Sequence, residues 1–181
     1  MTSAVGTLYL RVAHPIEHWD GTIPADNLAE QLAAETSWSL FMLAHVEPLT
    51  VLGAFYGWRT GPGPRTDCGY HVFTDTELAV ASPSLRHTPQ NWTHGWPPDV
   101  RDSHYDLEGF TAGTAKAFLA KIGTLGTRLK QATRKDIFCA QRALLQRNAV
   151  PADFQARVND RLKKLKQREP NLYATVVESV D

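Results

Sequence analysis

Between residues 87 and 106 the chain carries His87, His94, Asp99, Asp102, His104 and Asp106, with Trp92, Trp96 and Tyr105 among them. Imidazoles and carboxylates are the groups that general acid–base catalysis and divalent-metal binding require. Residues 102, 104 and 106 alternate, so an extended backbone would turn all three to one side. His94, Asp102 and His104 are the candidate catalytic residues on this reading, in a hydrolase or nuclease. The spacing matches none of the motifs that fix metal ligands on defined elements, and no metal or cofactor is expected. The competing reading is a polar loop whose tryptophans fill apolar gaps.

Cations form the second constellation. Arg157, Arg161, Lys164 and Arg168 recur at three- and four-residue steps, which places them beside one another on a helix. Lys163 and Lys166 fall on the opposite side of the same helix, and Lys121 and Arg128 lie on a preceding helical stretch. A ridge of this kind suits a phosphate backbone. The competing reading is a solvated face, or one paired with the acidic front of the chain. The short Asn148-Ala-Val-Pro151 turn between the last two helices has a helix-turn-helix spacing, which any helical hairpin shares.

Other groups offer less. His14 and His18 are four apart, but Pro15 spoils the helix that would align them. Cys68 and Cys139 form no CxxC pair, so neither a disulfide framework nor a zinc ribbon is encoded. Either thiol needs a spatially adjacent histidine to act as a nucleophile. No phosphate-binding glycine loop, dinucleotide fingerprint, GxSxG elbow or HExxH helix occurs. Tyr56 with Trp58 would share one strand face, and Tyr70 with Val72 or His71 with Phe73 a face of the next, so the sheet could stack bases, although core packing explains them as well.

The charge distribution frames these groups. The 181 residues carry no formal net charge, yet residues 1–109 hold five basic side chains against 13 acidic ones, and residues 110–181 hold 14 against six. No lysine precedes Lys116, while all seven histidines and all five tryptophans do.

Periodicity supplies the elements. Gly6 to Ala13 alternates as a first strand. A helix follows from about Pro24 to Glu35, with proline and aspartate in its first turn. Ser37 to Val46 and Thr50 to Trp58 are expected to pair as a hairpin across Pro48. Cys68–Phe73 and Leu78–Ala81 read as two more strands. Residues 82–108 are a long loop rich in histidine, tryptophan and proline, of a length that is usually functional. Helices are then predicted from about Thr111 to Ala132, Arg134 to Arg147 and Pro151 to about Glu169, followed by a weakly alternating tail that adds an edge strand or stays loose.

The expected fold is α+β: an N-terminal antiparallel sheet of about five short strands with one helix, then a C-terminal three-helix segment. An acidic, β-rich part (1–109) and a basic helical part (110–181) with a short tail would form one compact unit. No apolar run approaches the roughly 20 residues of a membrane span, and the first residues do not read as a secretion signal. A cytoplasmic protein is therefore expected. The leading functional expectation is a nucleic-acid-binding or nucleoprotein-complex subunit, contacting RNA or DNA through Lys121, Arg128, Arg157, Arg161, Lys164 and Arg168. The alternatives are the enzyme above and an interaction module, including a homo-oligomer, assembled through complementary charge.

Overall fold

The computed structural model describes residues 6–13, 25–35, 37–58, 67–79, 84–89, 95–122, 129–147 and 150–179. Its fold is α+β, with a six-stranded antiparallel sheet and eight helices among these residues. The strands are β1 (Leu8–Ala13), β2 (Ser37–Met42), β3 (Cys68–Thr74), β4 (Ser84–His87), β5 (His104–Glu108) and β6 (Lys130–Ala132), in the spatial order β4-β5-β2-β1-β3-β6. The helices are α1 (Ala25–Ala34), α2 (Pro48–Trp58), α3 (Asp75–Ala79), α4 (Pro98–Asp102), α5 (Ala112–Ile122), α6 (Arg134–Leu145), α7 (Ala152–Arg168) and α8 (Pro170–Glu178). The chain divides into two units, residues 1–45, 69–88 and 103–131, and residues 46–68, 89–102 and 132–181.

The first unit is built on the sheet. Strand alternation sends Tyr9, Trp38, Leu40, Phe73 and Leu107 into one core, where they meet Leu28 and Leu32 of α1 and Phe118, Leu119 and Ile122 of α5. Trp38 centres this core, with Phe73, Phe110 and Phe118 ring centroids 6.1, 5.7 and 5.8 Å away. The register Ser39↔Asp106 and Phe41↔His104 places polar β5 side chains beside β2 on the other face of the sheet.

The second unit is helical. Helix α2 occupies the segment expected to be a strand from Thr50 to Trp58. Its residues are buried nearly all round (Val51, Leu52, Gly53, Ala54, Tyr56 and Gly57), so the sequence shows neither clear period. Pro48 supplies the first turn, and Gly53 and Gly57, one turn apart, let neighbouring backbones approach. A Cβ at Gly53 would lie 2.9 Å from the Ala140 Cβ of α6, and one at Gly57 would lie 2.7 Å from the Phe154 ring of α7.

Helix α6 opens with a capping box: Asp136 N donates to Thr133 Oγ1 (3.1 Å) and Thr133 N to Asp136 Oδ2 (3.0 Å). Helix α7 stops at Glu169, because the residue before Pro170 is disfavoured in helical geometry. The tail is helix α8, not an edge strand: Leu172, Tyr173 and Val176 pack on Phe138, Cys139, Leu162 and Leu165. A nine-residue helix is marginal alone. Packing on α6 and α7, together with Arg142 Nη1 donating to the Val176 and Val177 carbonyls, holds its C-terminal end.

Three further differences concern shorter elements. Leu78 lies in α3, not a strand, because Thr74 and Glu77 form a capping box: Glu77 N donates to Thr74 Oγ1 (3.2 Å) and Thr74 N to Glu77 Oε2 (2.9 Å). Residues expected to be a long loop hold β4, α4 and β5. Helix α5 ends at Ile122, and residues 130–132 are strand β6, where a continued helix was expected.

Candidate functional site

The His/Asp segment resolves into groups with different surroundings. His87 is exposed on β4, its ring 4.8 Å from that of Tyr105. Asp99, in the first turn of α4, accepts from Arg147 Nη1 at 2.5 Å. Asp102 is exposed at the end of that helix and accepts from Arg101 Nε at 3.1 Å. His104 and Asp106, two residues apart on β5, are buried together. His94 lies outside the described residues, as do His14, His18 and Trp92.

The pair brought into proximity is thus His104 and Asp106, with His104 Nε2 3.8 Å from Asp106 Oδ1. Asp106 Oδ1 also accepts from Ser39 Oγ at 3.3 Å, and His104 Nδ1 lies 3.0 Å from both Thr88 Oγ1 and Thr88 O. Burial pushes the His104 imidazole below its ordinary pKa, against the opposing pull of the Thr88 backbone and Asp106. With His104 wholly enclosed and Asp106 2% exposed, a substrate has no route to this pair without movement of the chain. Among the described residues, no three histidine, cysteine or acidic side chains are grouped to hold a metal ion. Burial raises the pKa of both Cys68 and Cys139, the opposite of what thiolate chemistry needs.

The cations divide more sharply than their spacing suggested. Arg161 lies in the inward stripe of α7 with Phe154, Val158 and Leu165, and is only 4% exposed. Burial first, then neighbouring Arg157, pulls its pKa down to about 10, so it stays a cation at neutral pH. Arg157 is half-buried, with its guanidinium carbon 4.7 Å from the Trp58 ring centre and Nη1 donating to Trp58 O. Arg134 grips Glu169 through two parallel bonds, Nη1 to Oε2 at 2.9 Å and Nη2 to Oε1 at 2.8 Å. Lys164 is exposed and pairs with Asp160 one turn back, at 2.6 Å.

Among the described residues, the densest group of exposed cations is at the end of α7. Lys163, Lys164, Lys166 and Arg168 are all exposed, and residues 163–168 contain no carboxylate. Among the described residues, Lys163, Lys166 and Arg168 take part in no ion pair; Lys166 Nζ stands 5.6 Å from the Tyr173 ring centre. At about 100° per residue the four heads spread over the solvent half of the last two turns. Lys121 is exposed in the last turn of α5, within the sheet unit, and Arg128 lies outside the described residues. Lys163 and Lys166 were set apart from the ridge in the sequence because they share no stripe with Arg157 and Arg161. Burial breaks that ridge: Arg161 points inward and Arg157 is half-buried, while Lys164 and Arg168 stay exposed, as Lys163 and Lys166 are.

Comparison with protein families, with curated proteins and with solved structures returned no match. No helix among the described residues is long and apolar enough to cross a membrane.

Proposed function

We propose that this protein binds nucleic acid through its phosphate backbone, with the last two turns of α7 as the contact and the cytoplasm as its place of action. The observation that carries the reading is the group Lys163, Lys164, Lys166 and Arg168: four exposed cations within six residues, no carboxylate among them, and three of the four outside any ion pair of the described residues. Flexible lysine heads on a helix surface meet phosphates without a fixed partner geometry, and backbone contact of this sort carries affinity more than sequence preference. Arg157 and Arg161 support the surface from below instead of touching the ligand. RNA and DNA present the same phosphate chemistry to such a surface.

Fluorescence anisotropy with labelled duplex DNA and single-stranded RNA at low salt tests the reading. Substituting Lys163→Glu, Lys166→Glu and Arg168→Glu together should weaken both complexes on the order of tenfold or more. Lys121→Glu should leave them nearly unchanged. Equal binding by the triple variant and the parent protein would overturn the assignment.

A further inference from the structure

Tyr173 stands in the first turn of α8, where its N–H donates to Glu169 O at 3.0 Å. The ring packs against the core that α8 shares with α6 and α7, and it stays partly exposed. Its hydroxyl makes no hydrogen bond among the described residues and keeps contact with solvent.

Two contacts set the course of α8. Arg134 at the start of α6 grips Glu169 just before it, and Arg142, about two turns further along α6, donates to Val176 and Val177 near its end. Helix α8 therefore runs parallel to α6, first turn beside first turn. Lys135 in that turn of α6 is exposed and takes part in no ion pair of the described residues. On the α7 side, Lys166 Nζ lies 5.6 Å from the Tyr173 ring centre. The first turn of α8 thus carries an aromatic ring with cations of both neighbouring helices beside it.

A lysine surface alone meets duplex and single strand alike, because both offer phosphates. A ring beside the lysines distinguishes them. In a duplex each base face is covered by the next pair, whereas an unpaired base lays its face on an aromatic side chain whatever its identity. An ammonium beside an exposed ring is held more weakly than a stacked base. A strand that brings both groups therefore replaces that contact: its phosphate takes the lysine head and its base takes the ring.

We propose that single-stranded nucleic acid is the ligand of this surface, with an unpaired base stacked on Tyr173 and the neighbouring phosphates on Lys166 and Lys135. The assignment rests on the phosphate reading above and adds a base contact to it.

Fluorescence anisotropy at low salt, with three labelled ligands of equal length, tests the base contact: an oligothymidine strand, the same backbone without bases, and a blunt duplex. The parent protein should hold the oligothymidine about fivefold or more tighter than the base-free strand. Tyr173→Leu should lose that margin yet bind the duplex as the parent does, which also shows that its fold is kept; Tyr173→Phe should retain the margin. Lys135→Glu should weaken the oligothymidine complex severalfold. Equal binding of the oligothymidine and base-free strands by the parent, or unchanged oligothymidine affinity in Tyr173→Leu, would overturn the base contact and leave the phosphate reading in place. So would a duplex loss in Tyr173→Leu as large as the oligothymidine loss. Unchanged oligothymidine binding by Lys135→Glu would remove that residue from the contact. Failure of the parent protein to bind any of the three would remove the phosphate reading itself, and the base contact with it.

Discussion

Glu169 ends one helix, precedes the proline that starts the next, and is held by both nitrogens of the Arg134 fork. That grip keeps the carboxyl below its ordinary pKa and lifts the Arg134 guanidinium. Any stability it contributes is therefore present above about pH 4.3, the unfolded glutamate value, and is lost as pH falls through the lower folded value. Thermal melts of the parent and of Arg134→Ala should differ at pH 7, with the parent melting higher, and converge under strongly acidic conditions. A constant difference down to low pH would mean that Arg134 acts through packing. Residue chemistry was partly legible beforehand. His104 was singled out by its type, but the partner that matters to it is Asp106, with Thr88 from a distant position. Asp102 has a helix end between it and the strand. Arg161 has the spacing of an exposed ridge and the burial of a core residue, because the buried stripe of α7 is wide enough to include it.

Elements were readable where one face is buried and the other is wet, as in β1, β2, β3, α1, α6 and α7. Helix α2 escaped because apolar residues surround it. Its Gly53 and Gly57 were the usable signal, since glycines one turn apart mark a helix face pressed against its neighbours. Gly57→Ala should destabilise the protein, because the clash with the fully buried Phe154 ring, about 1–3 kcal/mol for overpacking, exceeds the helix-propensity gain of about 1 kcal/mol. Denaturant unfolding would measure it; a stabilised variant would mean that the ring yields. Thr133→Ala removes the cap of α6 and should cost about 1 kcal/mol in the same assay, with Thr133→Ser restoring most of it. The Thr74-x-x-Glu77 box of α3 was equally present in the sequence, but it was overshadowed by the strand formers around it. Helix α8 was not legible, since its nine residues draw their helicity from α6 and α7.

At the scale of the molecule, the change from acidic to basic composition near residue 110 does not coincide with the division into two units, each of which takes residues from both halves. Some front-half carboxylates do meet back-half cations inside a unit: Asp26 with Lys116 at 2.9 Å in the first, and Asp99 with Arg147 at 2.5 Å in the second. Other back-half cations are spent locally: Arg157 on Trp58, Arg134 on Glu169 and Arg142 on the end of α8. Among the described residues, exposed cations outside ion pairs include Lys121, Lys130 and Lys135 as well as the denser group at the end of α7, and that group is what the proposed function uses. Its most direct test is the salt dependence of binding to duplex DNA between 50 and 200 mM monovalent salt. Three to four released phosphate contacts predict a log–log slope of about −3, a loss of roughly fiftyfold across that range, with the slope near zero once Lys163, Lys166 and Arg168 are reversed in charge. Absence of binding at the lower salt, or a slope that the substitutions leave unchanged, would contradict it.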